Sequence, residues 1–344
     1  MFTFHRADFQ QCLLRSLPAS CRTHCSKRLK SYSQQPTGSV ELVFEDKSTA
    51  VCDLLIGADG LKSAVRKTFI KEKVAWAGSR GRVNEAAEYD AAVDPVWTGT
   101  VAYRALISPE RLRSCAPDHP IFSAPIQNYY LGKDSYVIAY PISRGKFINF
   151  AAFTTQPDLE DTVFDGPWFS PVEKEAFTGL FTSWETEVQQ LISNIDKPLR
   201  WAIHTVKPLK SFVSGSVVLI GDAAHAMTPY LGSGAGQALE DAYILASLLG
   251  HRATTPQTLH HALHVYDEIR RPKALKVAEK SRRLGQCFML HDYDFQGISQ
   301  EAVSGELKLV GEEIARLSEW TWNTPIDGLV EEALNMLLRN TALE

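Results

Sequence analysis

The 33 residues VVLIGDAAHAMTPYLGSGAGQALEDAYILASLL, Val217 to Leu249, set an Asp, a His, a Pro and three alternating glycines between an apolar strand and an apolar helix. Asp222 stands at the carboxyl end of the strand, where a carboxylate can accept hydrogen bonds from sugar hydroxyls. Gly232, Gly234 and Gly236 remove side chains where a ligand would lie against the backbone. A helix starting near Ala235 adds amide donors and the positive end of its dipole. This chemistry suits an anionic or sugar-bearing ligand. Taken alone, the same glycine-rich turn also serves as a tight strand-to-helix connection. His225 reads as a structural imidazole bonded to nearby backbone, with acid–base work as the alternative.

DLLIGADGLKSAVRK, Asp53 to Lys67, repeats the form: a buried strand, Gly57, Asp59 and Gly60, then a helix carrying Arg66. The elements around these turns follow from periodicity. Helical spacing puts Phe9, Leu13, Leu14 and Leu17 on one face near the start. VELVFEDKSTAVCDLLIGADG reads as two strands joined at a polar turn, the second running apolar into Gly57 as a doubly buried strand does. Residues 77–97 read as a loop. TGTVAYRALI, IQNYYLG, SYVIAYPI and KFINFAAFT then predict successive antiparallel strands. Helices are expected near 171–182, 184–194 and from Ala235. A further helix over 257–284 should kink or break at Pro272. The last fifty residues read as helical, with Leu307, Val310, Ile314 and Leu317 at helical spacing. One α/β domain is interrupted by another built on an antiparallel sheet.

Composition bounds the function. At 344 residues the chain can hold one large or two moderate domains, and 44% hydrophobic with 22% charged residues is the balance of a soluble globular protein. A net charge of -4 supplies no electrostatic reason to bind nucleic acid. No apolar run reaches the roughly 18 residues of a membrane span. MFTFHRADFQ has no secretory signal pattern, which points to a cytoplasmic protein. The six cysteines are scattered and read as reduced thiols. Cys21, His24 and Cys25 fall short of the four ligands zinc takes, so no metal is expected.

The two glycine-bearing turns, with HRADFQQCLLRSLP at the start, closely resemble the flavin-dependent aromatic monooxygenases of the salicylate hydroxylase type. DLLIGADGLKSAVR is similar to that family's Asp-Gly motif and VVLIGDAAHAMTPYLGSGAGQALEDA to its Gly-Asp motif. TGTVAYRALI, YVIAYPISRGKFINFAAF and YDEIRRPKA match in order and spacing, so the resemblance covers residues 1 to 290.

The resemblance implies an FAD-binding Rossmann-like domain over 1–97 and 206–290, a substrate domain on an antiparallel sheet over 98–205, and a helical segment over 291–344. It implies FAD as cofactor, NAD(P)H as reductant, O2 as co-substrate and a small aromatic or phenolic substrate, within secondary-metabolite (polyketide) biosynthesis. Arg6 would contact the cofactor, and Asp222 would hold its ribityl or ribose part. The loop carrying Pro229, Gly232, Gly234 and Ala235 would lie along the isoalloxazine ring. Asp59 and Arg66 would organise the pyrophosphate region and the approach of the nicotinamide. Arg104 would stabilise a phenolate and Tyr140 would hydrogen-bond the same oxygen. Because Arg104 follows Tyr103 on a strand, the two should face opposite sides of the sheet. Ser233 departs from the Gln that many relatives carry.

The family also uses a G-x-G-x-x-G turn for the pyrophosphate, and no three glycines here satisfy that spacing: after Gly232 and Gly234 the third position is Gln237. The FAD-binding domain is therefore expected to be incomplete at its N-terminus and to hold FAD weakly. An inactive truncated remnant is the competing reading. A flavin-dependent halogenase is a further one: WTWNTP, Trp320 to Pro325, is similar to the halogenase Trp-x-Trp-x-Ile-Pro signature but lacks the Ile and lies near the C-terminus.

Overall fold

The computed structural model describes residues 6–295, 297–323 and 325–342. The chain divides into two units. One comprises Met1–Thr23, Trp97–Ile203 and Gln286–Val310; the other comprises His24–Val96, His204–Gly285 and Gly311–Glu344.

In chain order, helix α1 (Arg6–Arg15) precedes an antiparallel sheet of β1 (Leu29–Gln34), β2 (Val40–Phe44) and β3 (Thr49–Cys52). The apolar face expected of α1 is uncovered: Leu13 and Leu14 are exposed. Strand β4 (Leu55–Gly57) leads into α2 (Ala64–Ser79) and α3 (Val83–Asp90). Residues 77–97 are thus largely helical where a loop was expected.

Strand β5 (Val96–Ile107), helix α4 (Pro109–Cys115), and strands β6 (Asn128–Gly132), β7 (Ser135–Ile142), β8 (Phe147–Thr162) and β9 (Phe169–Pro171) follow. With the short helices α5 (Glu175–Thr178) and α6 (Thr186–Ser193) and strand β10 (Leu199–Thr205), they build a six-stranded sheet of order β6-β7-β8-β5-β10-β9. β5 and β7 both pair antiparallel with β8, as alternation along them implied. Phe150, Phe177, Phe181, Val188 and Leu191 form the core between one face of this sheet and α4 to α6.

The chain continues through β11 (Val213–Ser214), β12 (Val217–Leu219), α7 (Asp222–His225), α8 (Gly234–Leu249) and α9 (Leu259–Phe288). It closes with α10 (Gln300–Ser318), α11 (Trp320–Asn323) and α12 (Asp327–Thr341). β12 lies between β11 and β4, parallel to β4 with Val218 opposite Ile56. Val217, Val218 and Leu219 have no exposed surface, and Phe69, Ile70, Ile244, Leu248, Leu263 and Leu337 complete their core. That is why this strand reads as unbroken apolar sequence.

Pro272 lies inside α9, a continuous 30-residue helix, instead of breaking it. An interior proline costs about 3 kcal/mol. The helix buries Leu263, Val265, Tyr266, Ile269, Ala274, Val277 and Leu284, and this burial outweighs the loss.

The sheet unit begins at Trp97, beside the boundary read at 98, but two terminal segments fall differently. Met1–Thr23 groups with the sheet unit, and the C-terminal segment is shared, Gln286–Val310 with the sheet and Gly311–Glu344 with the α/β unit. The β6–β7 turn accounts for the second. Lys133 Nζ donates to the carbonyls of Leu290 (3.3 Å), His291 (2.7 Å) and Tyr293 (3.1 Å), and the Asp134 amide to that of Met289 (2.8 Å). The WTWNTP segment lies partly outside the described residues. Among the described residues no helix is long and apolar enough to cross a membrane.

Candidate functional site

β12 delivers the chain into a turn at Gly221, whose φ of 56° favours glycine and where a Cβ would stand 3.1 Å from that of Ala238. Of residues 221–226, Asp222 alone is exposed; Gly221 and Ala223 to Ala226 are buried. The fold hides the turn and offers its carboxylate outward.

Arg66 holds this turn from below. Its side chain is 2% exposed. Nη1 donates to the carbonyls of Ala223 (3.2 Å) and Ala224 (3.1 Å), Nη2 to those of Ala92 (3.4 Å) and Lys207 (2.6 Å). Burial pulls its pKa down to about 10, so it stays charged at neutral pH. Where a cofactor role was expected, Arg66 is instead a strut that fixes the backbone behind Asp222. Asp59 is likewise engaged locally. Its oxygens accept from Ser63 Oγ and from the amides of Ala64 (2.7 Å) and Val65 (3.2 Å), while Ser63 Oγ accepts the Arg66 amide at 2.8 Å. Asp59 and Ser63 together cap α2.

His225 is buried and bonds a carboxylate, Asp241 of α8, through Nε2 at 2.6 Å, instead of the backbone. Burial alone would push the Asp241 carboxyl up; the His225 hydrogen bond, the charges of His225 and Arg270 and the Gly221 amide bring it below the ordinary carboxylate value.

The loop after α7 is anchored on α9. Ser281 Oγ, fully buried, donates to the Thr228 carbonyl (2.7 Å) and accepts from Thr228 Oγ1 (3.0 Å) and the Leu231 amide (3.3 Å). Between these anchors Tyr230 turns inward and Pro229 outward. Gly232 (φ 61°) and Ala235 are exposed. Beside Gly236 there is open space, and beside Gly234 only Met227 at 3.9 Å. α8 starts at Gly234 without a side-chain cap, which leaves its first amides to an external acceptor. Arg6 opens α1, and its side chain lies outside the described residues.

In the sheet unit, Tyr103 packs into the helix-covered core and Arg104 is exposed on the opposite face. The register carries that face across the sheet: Arg104 pairs with Ala151, Ala151 with Ile138, and Tyr140, half-buried, follows two residues after Ile138. Arg104 and Tyr140 therefore share the face that the core does not use.

Sequence reasoning missed Asp241, Arg270 and Ser281. Each is a buried polar residue within an otherwise apolar helical face, and that interruption is the one signal the sequence carries for them.

These residues fit FAD: an outward carboxylate for a sugar hydroxyl, and uncapped amides beside an unobstructed glycine backbone for the polar edge of the ring. The family described as FAD binding domain matches residues 185–281. Over 333 residues the chain is 34% identical to salicylate hydroxylase from Pseudomonas putida, covering 96% of this chain and 71% of that protein. The chain belongs to the FAD-dependent aromatic monooxygenases. This monooxygenase is also 31% identical over 341 residues to 6-methylsalicylate 1-monooxygenase atA from Aspergillus terreus, over 97% of this chain and 68% of that protein. A solved salicylate hydroxylase substrate complex shares its fold with a TM-score of 0.79 at 33% identity, over 96% of this chain and 75% of that one. The monooxygenase is thus an oxidoreductase with FAD as cofactor and NAD(P)H as reductant.

Proposed function

We propose that this monooxygenase hydroxylates a phenolic aromatic acid of the salicylate class, with O2 as co-substrate, in the cytoplasm. The names of two relatives, salicylate hydroxylase and 6-methylsalicylate 1-monooxygenase, share a 2-hydroxybenzoate ring. The observation that carries the reading is the exposed Arg104 on the sheet face opposite the core, with Tyr140 on the same face. Exposed free thiols at Cys12, Cys21 and Cys25 suit a reducing compartment.

The cofactor, when bound and reduced, supplies the activated oxygen. The chain's task is to place the ring and ready the substrate. Asp222 would accept from a ribityl or ribose hydroxyl, and the amides of the Pro229–Ala235 loop, Gly232 and Gly234 among them, would meet the polar edge of the ring. The Arg104 guanidinium would favour the phenolate over the phenol, raising the electron density of the aromatic carbon that takes the oxygen. Tyr140 would donate to the same phenolic oxygen and fix the orientation of the ring.

Turnover of the flavin-loaded protein with salicylate, 6-methylsalicylate and a non-phenolic benzoate tests this. Hydroxylated product from the phenolic acids, with matching NAD(P)H oxidation, is expected. Product from the benzoate at an equal rate would remove the phenol from the reading.

A further inference from the structure

We propose that the buried carboxylate of Asp241, held between His225 and Arg270, is a positioning group for the cofactor: it clamps the Gly221 amide and so sets the direction of Asp222. The inference rests on the reading that Asp222 faces FAD.

Three ionisable side chains meet here with almost no exposure: 0% for Asp241 and Arg270, and 2% for His225. Asp241 Oδ2 accepts from the Gly221 amide at 2.9 Å and from His225 Nε2 at 2.6 Å. Oδ1 accepts from Arg270 Nε at 2.8 Å. The other two nitrogens of Arg270 are also engaged, Nη1 on Glu240 (2.7 Å) and Nη2 on the Gln237 side chain (2.8 Å) and carbonyl (3.3 Å). With both oxygens bonded from three directions, the carboxylate is fixed in position and in plane.

His225 Nδ1 is buried with no hydrogen-bond partner. Asp241 Oδ2 can only accept as a carboxylate, so Nε2 carries the proton of that bond and donates it to Asp241. The ring works as an oriented donor to Asp241.

A cluster meant only to hold the fold together would be served as well by apolar side chains of similar volume, since burying charge is costly. What apolar side chains cannot do is accept the amide of a glycine at φ 56° and hold it. That amide immediately precedes Asp222, and Arg66 binds the carbonyls of Ala223 and Ala224 immediately after it. Asp222 is therefore the free residue between two anchored ones. Its side chain points outward because its backbone has no other choice.

The test is FAD titration by flavin fluorescence, below the melting temperature of each variant, for Asp222→Ala, His225→Leu, His225→Gln, Asp241→Asn and the double variant Asp222→Ala/His225→Leu. Asp222→Ala and His225→Leu should each weaken FAD about tenfold, with the double variant no weaker than Asp222→Ala. His225→Gln keeps an N–H near the Nε2 position and should bind within about threefold of the parent. If His225→Leu fails to fold, Asp241→Asn, which keeps the shape but not the charge, should show the same loss. Additive losses in the double variant, or parental affinity in folded His225→Leu beside a weakened Asp222→Ala, overturn the positioning role. Parental affinity in Asp222→Ala overturns the premise instead, whatever the other variants do.

Discussion

The Tyr230 ring lies so close to Gly285 of α9 that a Cβ on the glycine would stand 2.2 Å from two of its carbons. The loop carrying Pro229 and Gly232 is seated on the helix by the absence of one methyl group. Gly285→Ala gains about 1 kcal/mol in helix propensity. It forces the ring away at a cost near the upper end of overpacking, about 3 kcal/mol, so the clash wins by about 2 kcal/mol. A melt should show the loss, and an FAD titration should show weaker binding because Pro229 and Gly232 move with Tyr230. Adding Tyr230→Ala should recover the affinity. A Gly285→Ala protein with parental melt and affinity would refute the seating.

Arg66→Met should destabilise the α/β unit by about 3 kcal/mol or more, because it leaves three buried carbonyls and one part-buried one without their charged donor. Arg66→Lys should rescue little, since one ammonium cannot reach the carbonyls that the two terminal nitrogens of the guanidinium divide between them. Urea midpoints decide it. A loss under 1 kcal/mol for Met would mean that water replaces the guanidinium.

Arg104→Gln should leave FAD affinity intact and sharply lower hydroxylated product per NAD(P)H consumed, the balance appearing as hydrogen peroxide. Tyr140→Phe should act in the same direction more weakly, for it removes one hydrogen bond and no charge. Product and peroxide are measured together with a phenolic acid. Unchanged coupling in both variants would return the two residues to a packing role.

Alkali should destabilise the sheet unit through Tyr130. Burial first, then the carboxylates of Glu187 and Glu185, push its pKa up to about 12. In the unfolded chain a tyrosine ionises near pH 10. Between the two values the unfolded state gives up a proton that the folded state keeps. The contribution is thus complete below about pH 10 and is lost as pH rises through 12. Urea midpoints at pH 9 and 11 should fall less for Tyr130→Phe than for the parent; an equal fall would acquit this residue.

Much of the scaffold was legible because the apolar pattern matched the burial. Val217 to Leu219 read as a buried strand and are one, whereas the run into Gly57, read as buried on both faces, is split between β3 and β4 and leaves Val51 and Ile56 exposed. The alternation that sets Tyr103 in the core and Arg104 outside was readable from β5 alone. α3 was not, and the reason is physical: none of its residues is buried, so it has no apolar stripe to betray its period. Asp222 and the glycines were readable because turn chemistry is local. The Asp241–Gly221, Arg270–Asp241 and Ser281–Thr228 pairs join residues 20, 29 and 53 positions apart, and no local pattern encodes such partners.

Arg270, Ser281 and Gly285 sit on one helix, and the eleven positions from Arg270 to Ser281 make about three turns, which returns both to the same face. The first reaches the Asp222 end of the segment from Gly221 to Ala235 through Asp241; the other two hold its glycine end. α9 therefore acts as a gauge whose length between these points matters as much as its residues. One residue inserted after Pro272 would rotate the later part by about 100° and take Ser281 and Gly285 off the loop while Arg270 kept its grip. Every one of these side chains would still be present, and the two ends of the segment proposed to hold FAD would no longer agree.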